Sequence, residues 1–380
     1  MGRWGDEDVS ARLTVDLDAV VENYRRIEST SAPAAVASVV KANAYGLGAI
    51  AVSGALYAAG CRRFFTAQLG EALALRNALP DDATFYVLNG LWPGTEIEAA
   101  QAGIVPVLNS LDQVRRWRRV AASWGGRLSA ILQIDSGMSR LGLTREDVRV
   151  LAGDPDLLSG FEVQFVMTHL ALADTPGSCW NDIQLATFEK LSNLLPAIPR
   201  SFANSAAALT RPQRPGDLVR AGIGLYGGQA IASGPNPMRR VVDLSARVLQ
   251  VRDVPANTGV GYGMTHVTRA PARIATIAVG YADGWPRRLG GRGAAFLDGR
   301  RLPVVGRISM DSMTLDVTDL PRSALDAGDF VELLGENQSL EDVAAQAGTI
   351  SYEILTNLGP RLDRTYARYG AGPLDGRVYA

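Results

Sequence analysis

Lysine is used very sparingly in this chain, and one of its two lysines stands where an amine could react. Lys41 ends the apolar run Ala35–Val40, whereas Lys190 lies in an amphipathic helical stretch typical of a solvated surface. Burial at a strand end lowers the pKa of an amine and frees it to attack a carbonyl. The alternative is a lysine whose ammonium group extends from the strand end into solvent. Because arginine is the cation almost everywhere else, and only lysine can form an imine, the pattern favours a covalent role for Lys41.

Three other polar side chains have the chemistry to assist such a lysine. Tyr262 lies between glycines in Gly259–Gly263, Arg220 lies in an apolar strand, and His169 follows the apolar run Val163–Met167. A phenol or an imidazole can move protons, and a guanidinium group donates hydrogen bonds without losing its charge. Each also has a structural alternative, namely an aromatic ring packed on a turn, an arginine at a strand end and a satisfied structural histidine.

These residues would be positioned by short apolar strands that alternate with helical stretches from Asp16 onward. The pattern predicts helices over Ala49–Ala59 and Leu69–Asn77, and strands over the following stretches: Ala35–Val40, Phe64–Ala67, Phe85–Leu88, Ile104–Leu108, Leu128–Ile134, Val163–Thr168, Ser201–Ala203 and Leu218–Ile223. Eight strands joined by crossovers indicate an α/β fold, a closed parallel (β/α)8 TIM barrel, with the active site at the carboxyl ends of the strands. A doubly wound open sheet is the alternative on the pattern alone.

The pattern changes near residue 235, at the turn-forming segment Gly234–Pro237. Runs rich in valine and threonine follow, with little helix between them: Val241–Val254, Ala272–Val279, Leu302–Val305, Met313–Val317 and Phe330–Leu334. This predicts a C-terminal, mostly antiparallel β domain. We therefore expect a barrel over residues 12–235 and a β domain over residues 236–380, with residues 1–11 as a candidate addition to the β domain.

Bulk composition excludes several classes of protein. The 380 residues are 47% hydrophobic and 20% charged, with a net charge of -1, which argues against a nucleic-acid or anionic-membrane partner. Two cysteines and two histidines without ligand spacing argue against a metal site or a disulfide framework. Met1–Ser10 lacks the apolar core of a signal peptide, and no apolar run reaches membrane-spanning length. The expectation is a cytoplasmic enzyme.

An ordered series of motifs resembles the bacterial alanine racemases over almost the whole chain. Residues 40–46 (VKANAYG) are similar to the cofactor-lysine motif of that family, and the likeness runs from residues 15–18 to residues 364–366. Further matching segments are 135–140 (DSGMSR), 167–169 (MTH), 203–205 (ANS), 220–223 (RAGI), 261–263 (GYG), 280–284 (GYADG), 306–311 (GRISMD) and 352–353 (YE). The resemblance implies a pyridoxal 5′-phosphate (PLP) enzyme with a β/α barrel followed by a β domain.

By this resemblance, Lys41 holds PLP covalently and Tyr262 is the second acid/base group. Racemisation needs two such groups, because the α-proton leaves one face of the substrate and returns on the opposite face. In these enzymes the tyrosine comes from the partner subunit, which implies a homodimer with shared active sites. A nearby cation, for which Arg220 is a candidate, would lower the pKa of the phenol from its usual value of about 10.

The resemblance also implies ligands for the cofactor. Arg220 is expected at the pyridine nitrogen, which stays unprotonated because arginine only donates; this weakens the ring as an electron sink. The ring of His169 is expected against the cofactor ring, with hydrogen bonds to Tyr262 and Arg220. The residues implied at the phosphate or beside it are Tyr45, Asn204, Ser205, Gly222, Ile223 and Tyr352.

Other residues are implied to bind the substrate. Arg140 and the backbone amide of Met310 are the candidates for its carboxylate. Side-chain size would be restricted by Tyr281, Asp174 and Tyr352, with Asp311 behind them. No metal is expected.

Gln133 departs from the pattern of the family. Many relatives carry a carbamylated lysine there, which positions the arginine that corresponds to Arg140. Glutamine cannot form a carbamate, so Arg140 needs another partner. We hypothesise that Gln133 itself contacts Arg140, with altered affinity for the carboxylate.

The resulting prediction is a racemase that interconverts L-alanine and D-alanine by a two-base mechanism through Lys41 and Tyr262. The alternative is a serine racemase or one of broader specificity with the same fold. A barrel decarboxylase is disfavoured by Arg220, and a non-catalytic PLP-binding protein by the presence of the β domain. D-alanine supply for a bacterial cell wall is implied by the resemblance, and catabolic use of alanine is equally compatible.

Overall fold

The computed structural model describes residues 9–211 and 216–368, which form two compact units. One unit is Val20–Arg239, and the other combines the described residues up to Ala19 with those from Arg240 onward. We refer to them as the barrel unit and the β unit. Predictions for residues 1–8 and 369–380 lie outside the described residues.

The secondary structure alternates regularly in the first part of the chain and is mostly extended in the second. The strands are β1 (Ala11–Asp16), β2 (Ala35–Val39), β3 (Arg63–Thr66), β4 (Thr84–Val87), β5 (Val105–Leu108), β6 (Leu128–Gln133), β7 (Phe161–Met167), β8 (Arg200–Ser201), β9 (Leu218–Ala221), β10 (Val242–Val254), β11 (Gly259–Val260), β12 (His266–Val267), β13 (Ala272–Ile277), β14 (Ala294–Leu297), β15 (Arg300–Val305), β16 (Met313–Asp316), β17 (Phe330–Leu334) and β18 (Asp363–Ala367). The helices are α1 (Leu17–Ser31), the short turn α2 (Lys41–Tyr45), α3 (Ala49–Ala58), α4 (Leu69–Arg76), α5 (Glu96–Gln101), α6 (Leu111–Ser123), α7 (Arg145–Gly153), α8 (Cys179–Ser192), α9 (Ser205–Thr210), α10 (Leu340–Ala347) and α11 (Ser351–Asn357).

The barrel unit contains an eight-stranded sheet with the order β8-β7-β6-β5-β4-β3-β2-β9 and parallel pairing between neighbours. A parallel bridge between Asn204 and Arg220 joins the ends of β8 and β9, so the sheet closes on itself. Its strands are almost continuously apolar because helices and the barrel interior bury both faces. Together with the β unit, this confirms the predicted fold class.

Aromatic side chains pin the register between β3 and β4. Phe64 pairs with Phe85 and Phe65 with Tyr86, and these four side chains are at most 1% exposed. Their ring centroids lie 5.7 Å and 4.7 Å apart. Such cross-strand pairs hold strand ends in a fixed register, and therefore fix the loops that follow them.

The β unit is built around the long strand β10. Its sheet has the order β13-β16-β15-β14-β17-β10-β1-β18, and β13 also pairs with β10, so six of these strands form a closed ring. The pairing is antiparallel except between β1 and β18. The described residues contain no helix that is long and apolar enough to cross a membrane.

Two details of the sequence-based prediction differ from the structure. We expected the barrel to begin at residue 12, but β1 pairs with β10 and β18 of the β unit, because its alternating pattern buries one face there. We also expected little helix after residue 235. α10 begins at a capping box formed by Ser339 and Asp342, and α11 follows it.

Candidate active site

Lys41 begins an unusual turn at the carboxyl end of β2. The four residues after it, Ala42–Tyr45, have left-handed backbone angles, with φ between 52° and 56°. The turn is closed by hydrogen bonds from Ala44 N–H to the Val40 carbonyl (2.9 Å) and from Gly46 N–H to the Ala42 carbonyl (2.8 Å). Left-handed angles disfavour residues that carry a Cβ, so contacts from outside must hold this segment.

The amine of Lys41 is partly buried among cations. Its pKa is lowered, first by burial and then by the guanidinium groups of Arg140 and Arg220, whereas the carboxylate of Glu71 acts in the opposite direction. In the described part of the chain, no hydrogen bond or ion pair engages this amine. A lowered pKa increases the fraction of neutral amine, which is the form that attacks a carbonyl.

Arg220 is a buried cation on β9, with 3% of its surface exposed. Its Nη1 donates to Ser201 Oγ (2.6 Å), and its Nη2 donates to the Thr168 carbonyl (2.7 Å). Burial lowers its pKa to about 10, so the group remains charged at neutral pH. None of the described carboxylates forms an ion pair with it, so its charge can be directed at an acceptor in the barrel mouth.

His169 lies two residues after β7 and next to Arg220. Its Nδ1 is 3.3 Å from Arg220 Nη2, and because arginine only donates, Nδ1 accepts and the proton of the neutral ring sits on Nε2. Burial, with Arg220, Arg140 and Lys41 nearby, lowers the pKa of His169 to about 3. The ring is therefore neutral over the physiological range. A hydrogen bond between His169 and Tyr262 stays a prediction.

The ends of β8 and β9 form a small polar cradle. Ser205 Oγ accepts hydrogen bonds from the N–H groups of Gly222 (2.9 Å) and Gly224 (3.3 Å). A Cβ added at Gly222 would lie 2.6 Å from Tyr45 Oη, so only glycine lets this phenol approach the backbone. Ile223 follows Gly222 in a 3-10 turn, and Asn204 caps α9 by accepting the Ala207 N–H at 3.0 Å.

Arg140 is carried by a tightly hydrogen-bonded loop after β6. Asp135 Oδ1 accepts three successive backbone N–H groups, those of residues 137–139, at 2.9–3.1 Å. Gln133 is buried, and its Nε2 donates to the Leu141 carbonyl at 3.0 Å. The hypothesis of direct contact between Gln133 and Arg140 is therefore not supported: among the described residues no hydrogen bond joins the two side chains, and the amide anchors the neighbouring backbone instead.

Tyr262 belongs to the β unit and is 70% exposed. It starts a 3-10 turn between β11 and β12, flanked by Gly261 and Gly263, each with φ of 71°. A Cβ at Gly263 would lie 3.1 Å from Arg307 Nη1, which leaves little room for a larger residue. Tyr262 shares a surface groove with Met264 and Ser309.

Two loops of the β unit are hydrogen-bonded to each other beside this groove. Tyr281 N–H donates to the Ser309 carbonyl (3.1 Å), and Ala282 N–H donates to the Met310 carbonyl (2.9 Å). A Cβ at Gly280 would lie 2.3 Å from the Met310 carbonyl oxygen, so glycine is required there. The side chains of Tyr281 and Met310 are 42% and 52% exposed.

The predicted residues divide between the two units. Those of the barrel unit are Lys41, Tyr45, Arg140, His169, Asp174, Asn204, Ser205, Arg220, Gly222 and Ile223; those of the β unit are Tyr262, Tyr281, Met310, Asp311 and Tyr352. Within the barrel unit, Lys41, Arg140, His169 and Arg220 are close enough to perturb one another electrostatically. Asp174 is exposed, and its carbonyl accepts from Ala232 N–H at 2.8 Å.

Two protein-family models match this chain. The N-terminal domain of alanine racemase matches residues 15–230, and the C-terminal domain matches residues 241–366. The chain belongs to the alanine racemase family. Two curated alanine racemases illustrate the similarity: one from Agrobacterium fabrum, called catabolic, is 49% identical over 364 residues, and one from Brucella ovis is 50% identical over 373 residues. They match 96% and 95% of this chain and 94% of their own lengths.

A solved alanine racemase supports the fold. The enzyme from Bartonella henselae has a TM-score of 0.91 and 42% identity, over 94% of this chain and 100% of its own chain. Its crystal structure contains covalently bound pyridoxal phosphate. The alanine racemase from Streptomyces lavendulae, a D-cycloserine producer, has a TM-score of 0.87 and 32% identity, over 95% of this chain and 97% of its own.

In this member of the alanine racemase family, two side chains that contact predicted site residues or their neighbours were missed from the sequence. Glu71 Oε1 accepts the N–H of Ala42, the residue after Lys41, at 2.7 Å. Arg361 bridges Asp311 (Nη1 to Oδ1, 2.6 Å) and Asp283 (Nε to Oδ1, 3.1 Å). The capping pattern of Glu71 with Gln68 was a visible signal, but it indicates a helix start rather than contact with Lys41. Arg361 gave no signal.

Proposed function

We propose that this chain is a PLP-dependent enzyme that interconverts L-alanine and D-alanine, with Lys41 holding the cofactor. The observation that carries the proposal is the environment of Lys41, an amine with a lowered pKa at the carboxyl end of a barrel strand. Support comes from relatives named alanine racemase at 49% and 50% identity. The Bartonella henselae relative, which holds covalent pyridoxal phosphate, supports the choice of cofactor.

The chemistry of the barrel mouth fits a phosphorylated pyridine aldehyde. Ser205 Oγ only accepts in its two contacts with backbone N–H groups, so its own proton can serve a phosphate oxygen. We propose that Ser205, Gly222 and Ile223 hold the phosphate, with Tyr45, Asn204 and Tyr352 beside it. Arg220, which lacks a described carboxylate partner, would face the ring nitrogen, and the neutral ring of His169 would lie against the cofactor ring.

The proton transfers are assigned to two residues. When bound, PLP withdraws electrons from the α-carbon of the amino acid and makes the α-hydrogen acidic. Lys41 Nζ and Tyr262 Oη would serve opposite faces of the α-carbon: one residue takes the α-proton from its own face, the other supplies a proton to the opposite face, and the roles are exchanged in the reverse reaction. Arg220 would donate to the ring nitrogen and keep it unprotonated, which would limit charge withdrawal and so favour return of the proton over other outcomes.

Residues around the reacting carbon would select the substrate. Arg140, a cation of the barrel unit, and the backbone amide of Met310 are proposed to bind the carboxylate. Tyr281, Asp174 and Tyr352 would limit the side chain to the size of a methyl group, and Asp311 would support them through Arg361.

We further propose a homodimer in which each subunit lends Tyr262 to its partner. Tyr262, Met264 and Met310 are 70%, 70% and 52% exposed, an unusual set of large side chains for a solvated loop region. Burial by a second copy would remove this apolar surface from water. The dimer would act in the cytoplasm, where free thiols such as Cys61 remain reduced.

The proposal is tested with the purified protein and two lysine variants. Wild type and Lys190→Ala should show the absorbance band of covalently bound PLP and convert L-alanine to D-alanine, whereas Lys41→Ala should lose both, because Lys41 is the proposed attachment point. Lys190→Ala is the matched control, since it removes the only other lysine. Slower conversion of L-serine than of L-alanine is expected. A colourless wild type that does not take up added PLP would refute the proposal. Faster conversion of L-serine than of L-alanine would show that serine, not alanine, is the preferred substrate.

A further inference from the structure

The turn after Lys41 needs external support. Four successive residues with side chains, Ala42–Tyr45, hold left-handed angles, at a cost of about 1–2 kcal/mol each. At the far end of the turn, Asn43 Oδ1 accepts the Ala49 N–H at 2.8 Å. At the near end, the Ala42 N–H points away from the turn and finds its partner on another element.

That partner is the carboxylate of Glu71, which spans two neighbouring strand ends. Oε1 accepts the N–H of Ala42 (2.7 Å), and Oε2 accepts the N–H groups of Ala67 (2.8 Å) and Gln68 (3.2 Å) after β3. One side chain therefore ties the backbone beside Lys41 to the start of α4. A bond from a charged acceptor to backbone N–H groups is stronger than one from a neutral acceptor.

Glu71 also balances the charges around the amine. The groups that act on the pKa of Lys41 are the cations Arg140 and Arg220, which lower it, and the carboxylate of Glu71, which raises it. His169, the other titratable group nearby, is neutral because its own pKa is lowered to about 3.

We propose that Glu71 is the positioning residue for Lys41: its carboxylate clamps the left-handed turn at Ala42 and supplies a negative charge near the amine. The inference rests on the proposed function of Lys41 and deepens it. It assigns Glu71 no contact with substrate or cofactor.

The two lysines of the chain permit a direct test. Full-length protein, freed of cofactor with hydroxylamine and dialysis, is labelled with trace acetic anhydride over a range of pH, and labelling of Lys41 is compared with that of Lys190 by mass spectrometry. Glu71→Gln removes the charge, so the pKa of Lys41 should fall by about half to one pH unit. At a pH below the pKa, labelling of Lys41 should accelerate about three- to tenfold, while labelling of Lys190 stays unchanged.

Asp147→Asn is the matched control. Asp147 occupies the same capping-box position in α7 that Glu71 occupies in α4, and its Oδ2 accepts the Thr144 N–H at 3.0 Å. Loss of this cap should leave the labelling of Lys41 as in wild type. An unchanged Lys41 profile in Glu71→Gln, or an equal shift in Asp147→Asn, would overturn the proposal and leave Glu71 as a helix cap only.

A second variant covers the case in which Glu71→Gln does not fold. Glu71→Asp keeps the charge but is one methylene shorter, which withdraws the carboxylate from Ala42. Backbone amides of residues 42–46 should then exchange with deuterium faster than in wild type in the protein as purified, whereas those of α8 should not. Unchanged exchange contradicts the clamp. Neither lysine labelling nor deuterium exchange requires racemisation. A wild type that does not bind PLP would therefore refute the proposed function, whereas the role of Glu71 could still be tested.

Discussion

At the scale of single residues, positive charge is concentrated around one amine. Burial is the main cause of the lowered pKa of Lys41, and Arg140 and Arg220 lower it further. Burial also lowers the pKa of His169, and the same two guanidinium groups, with Lys41, add to that effect and keep the ring neutral. This arrangement suits a site whose expected ligands, a phosphate and a carboxylate, bring negative charge with them, because the ligand then supplies the missing counter-charge.

The neutral state of His169 has a consequence for stability. A histidine in the unfolded chain has a pKa of about 6.5, whereas burial among cations lowers that of His169 to about 3. As the pH falls, the unfolded state therefore binds this proton at a higher pH than the folded state does. The contribution of His169 to stability is fully present above about pH 6.5 and is lost as the pH falls toward 3. Between about pH 7 and about pH 5 this single group removes about 2 kcal/mol from the free energy of unfolding. His169→Gln should lose that share of the pH dependence in urea unfolding of the cofactor-free protein, and identical pH dependence in both proteins would contradict the assignment.

Residue types guide the prediction of a site most strongly where chemistry restricts the choice of side chain. Lys41 was singled out as a candidate because arginine cannot form an imine, whereas the roles expected of Arg220 and His169 required the family resemblance and stay predictions. Contacts that run through backbone atoms were not predictable. Gln133 bonds to a backbone carbonyl instead of to Arg140, and Glu71 reaches a backbone N–H on a neighbouring strand end. Any polar side chain can accept from or donate to the backbone, so residue identity carries little information about which backbone group it contacts.

At the scale of elements, the glycine after β9 sets how closely Tyr45 approaches the backbone. A Cβ at Gly222 would lie 2.6 Å from Tyr45 Oη, so the requirement for glycine includes a steric one. The rings of Tyr45 and Tyr226 lie 4.6 Å apart, and Tyr226 Oη donates to the Val39 carbonyl at 2.8 Å. The phenol of Tyr45 is therefore backed by a ring that is itself fixed, and it cannot retreat freely from an added Cβ.

Gly222→Ala should for this reason weaken PLP binding without unfolding the barrel. The Cβ would lie 2.6 Å from Tyr45 Oη and would displace it from the proposed phosphate cradle. We expect the Kd for PLP to rise about tenfold, which corresponds to about 1.4 kcal/mol, in a titration of cofactor-free protein followed by absorbance. Gly70→Ala in α4 is the control, because a Cβ there meets nothing within 4 Å. If the Kd for PLP is unchanged in Gly222→Ala, the loop after β9 is not part of the proposed phosphate cradle.

The positions of the strands were easier to predict than the strands with which each of them pairs. The apolar runs of β2 to β7 and of β10 are long enough to be seen in one sequence, and the structure has strands at each of them. The predicted barrel boundary at residue 12 placed residues 12–19 with the barrel, but β1 was not predicted as a strand, and its hydrogen bonds go to β10 and β18. The other strands that were not predicted are β11, β12, β14 and β18. β18 gains its partner, β1, from a distant part of the chain, which its own short sequence does not reveal.

At the scale of the whole molecule, the proposed active site takes residues from two copies of the chain. The proposed covalent lysine belongs to the barrel unit, and the proposed second acid/base residue lies on an exposed loop of the β unit. The exposed loop residues Tyr262, Met264 and Met310 give a second copy an apolar surface to cover. If each site takes Lys41 from one subunit and Tyr262 from the other, defects in the two residues can complement each other.

Subunit mixing measures this central claim most directly. Lys41→Ala and Tyr262→Phe, each inactive in alanine racemisation as a pure dimer, are given different affinity tags, mixed for subunit exchange and purified over both tags. In a random mixture, half of the dimers are mixed and each has one intact site of two, so activity should recover to about a quarter of the wild-type value. Doubly tagged dimers should reach about half of it. Doubly tagged dimers that form and yet remain as inactive as the separate variants would contradict a site shared by Lys41 and Tyr262.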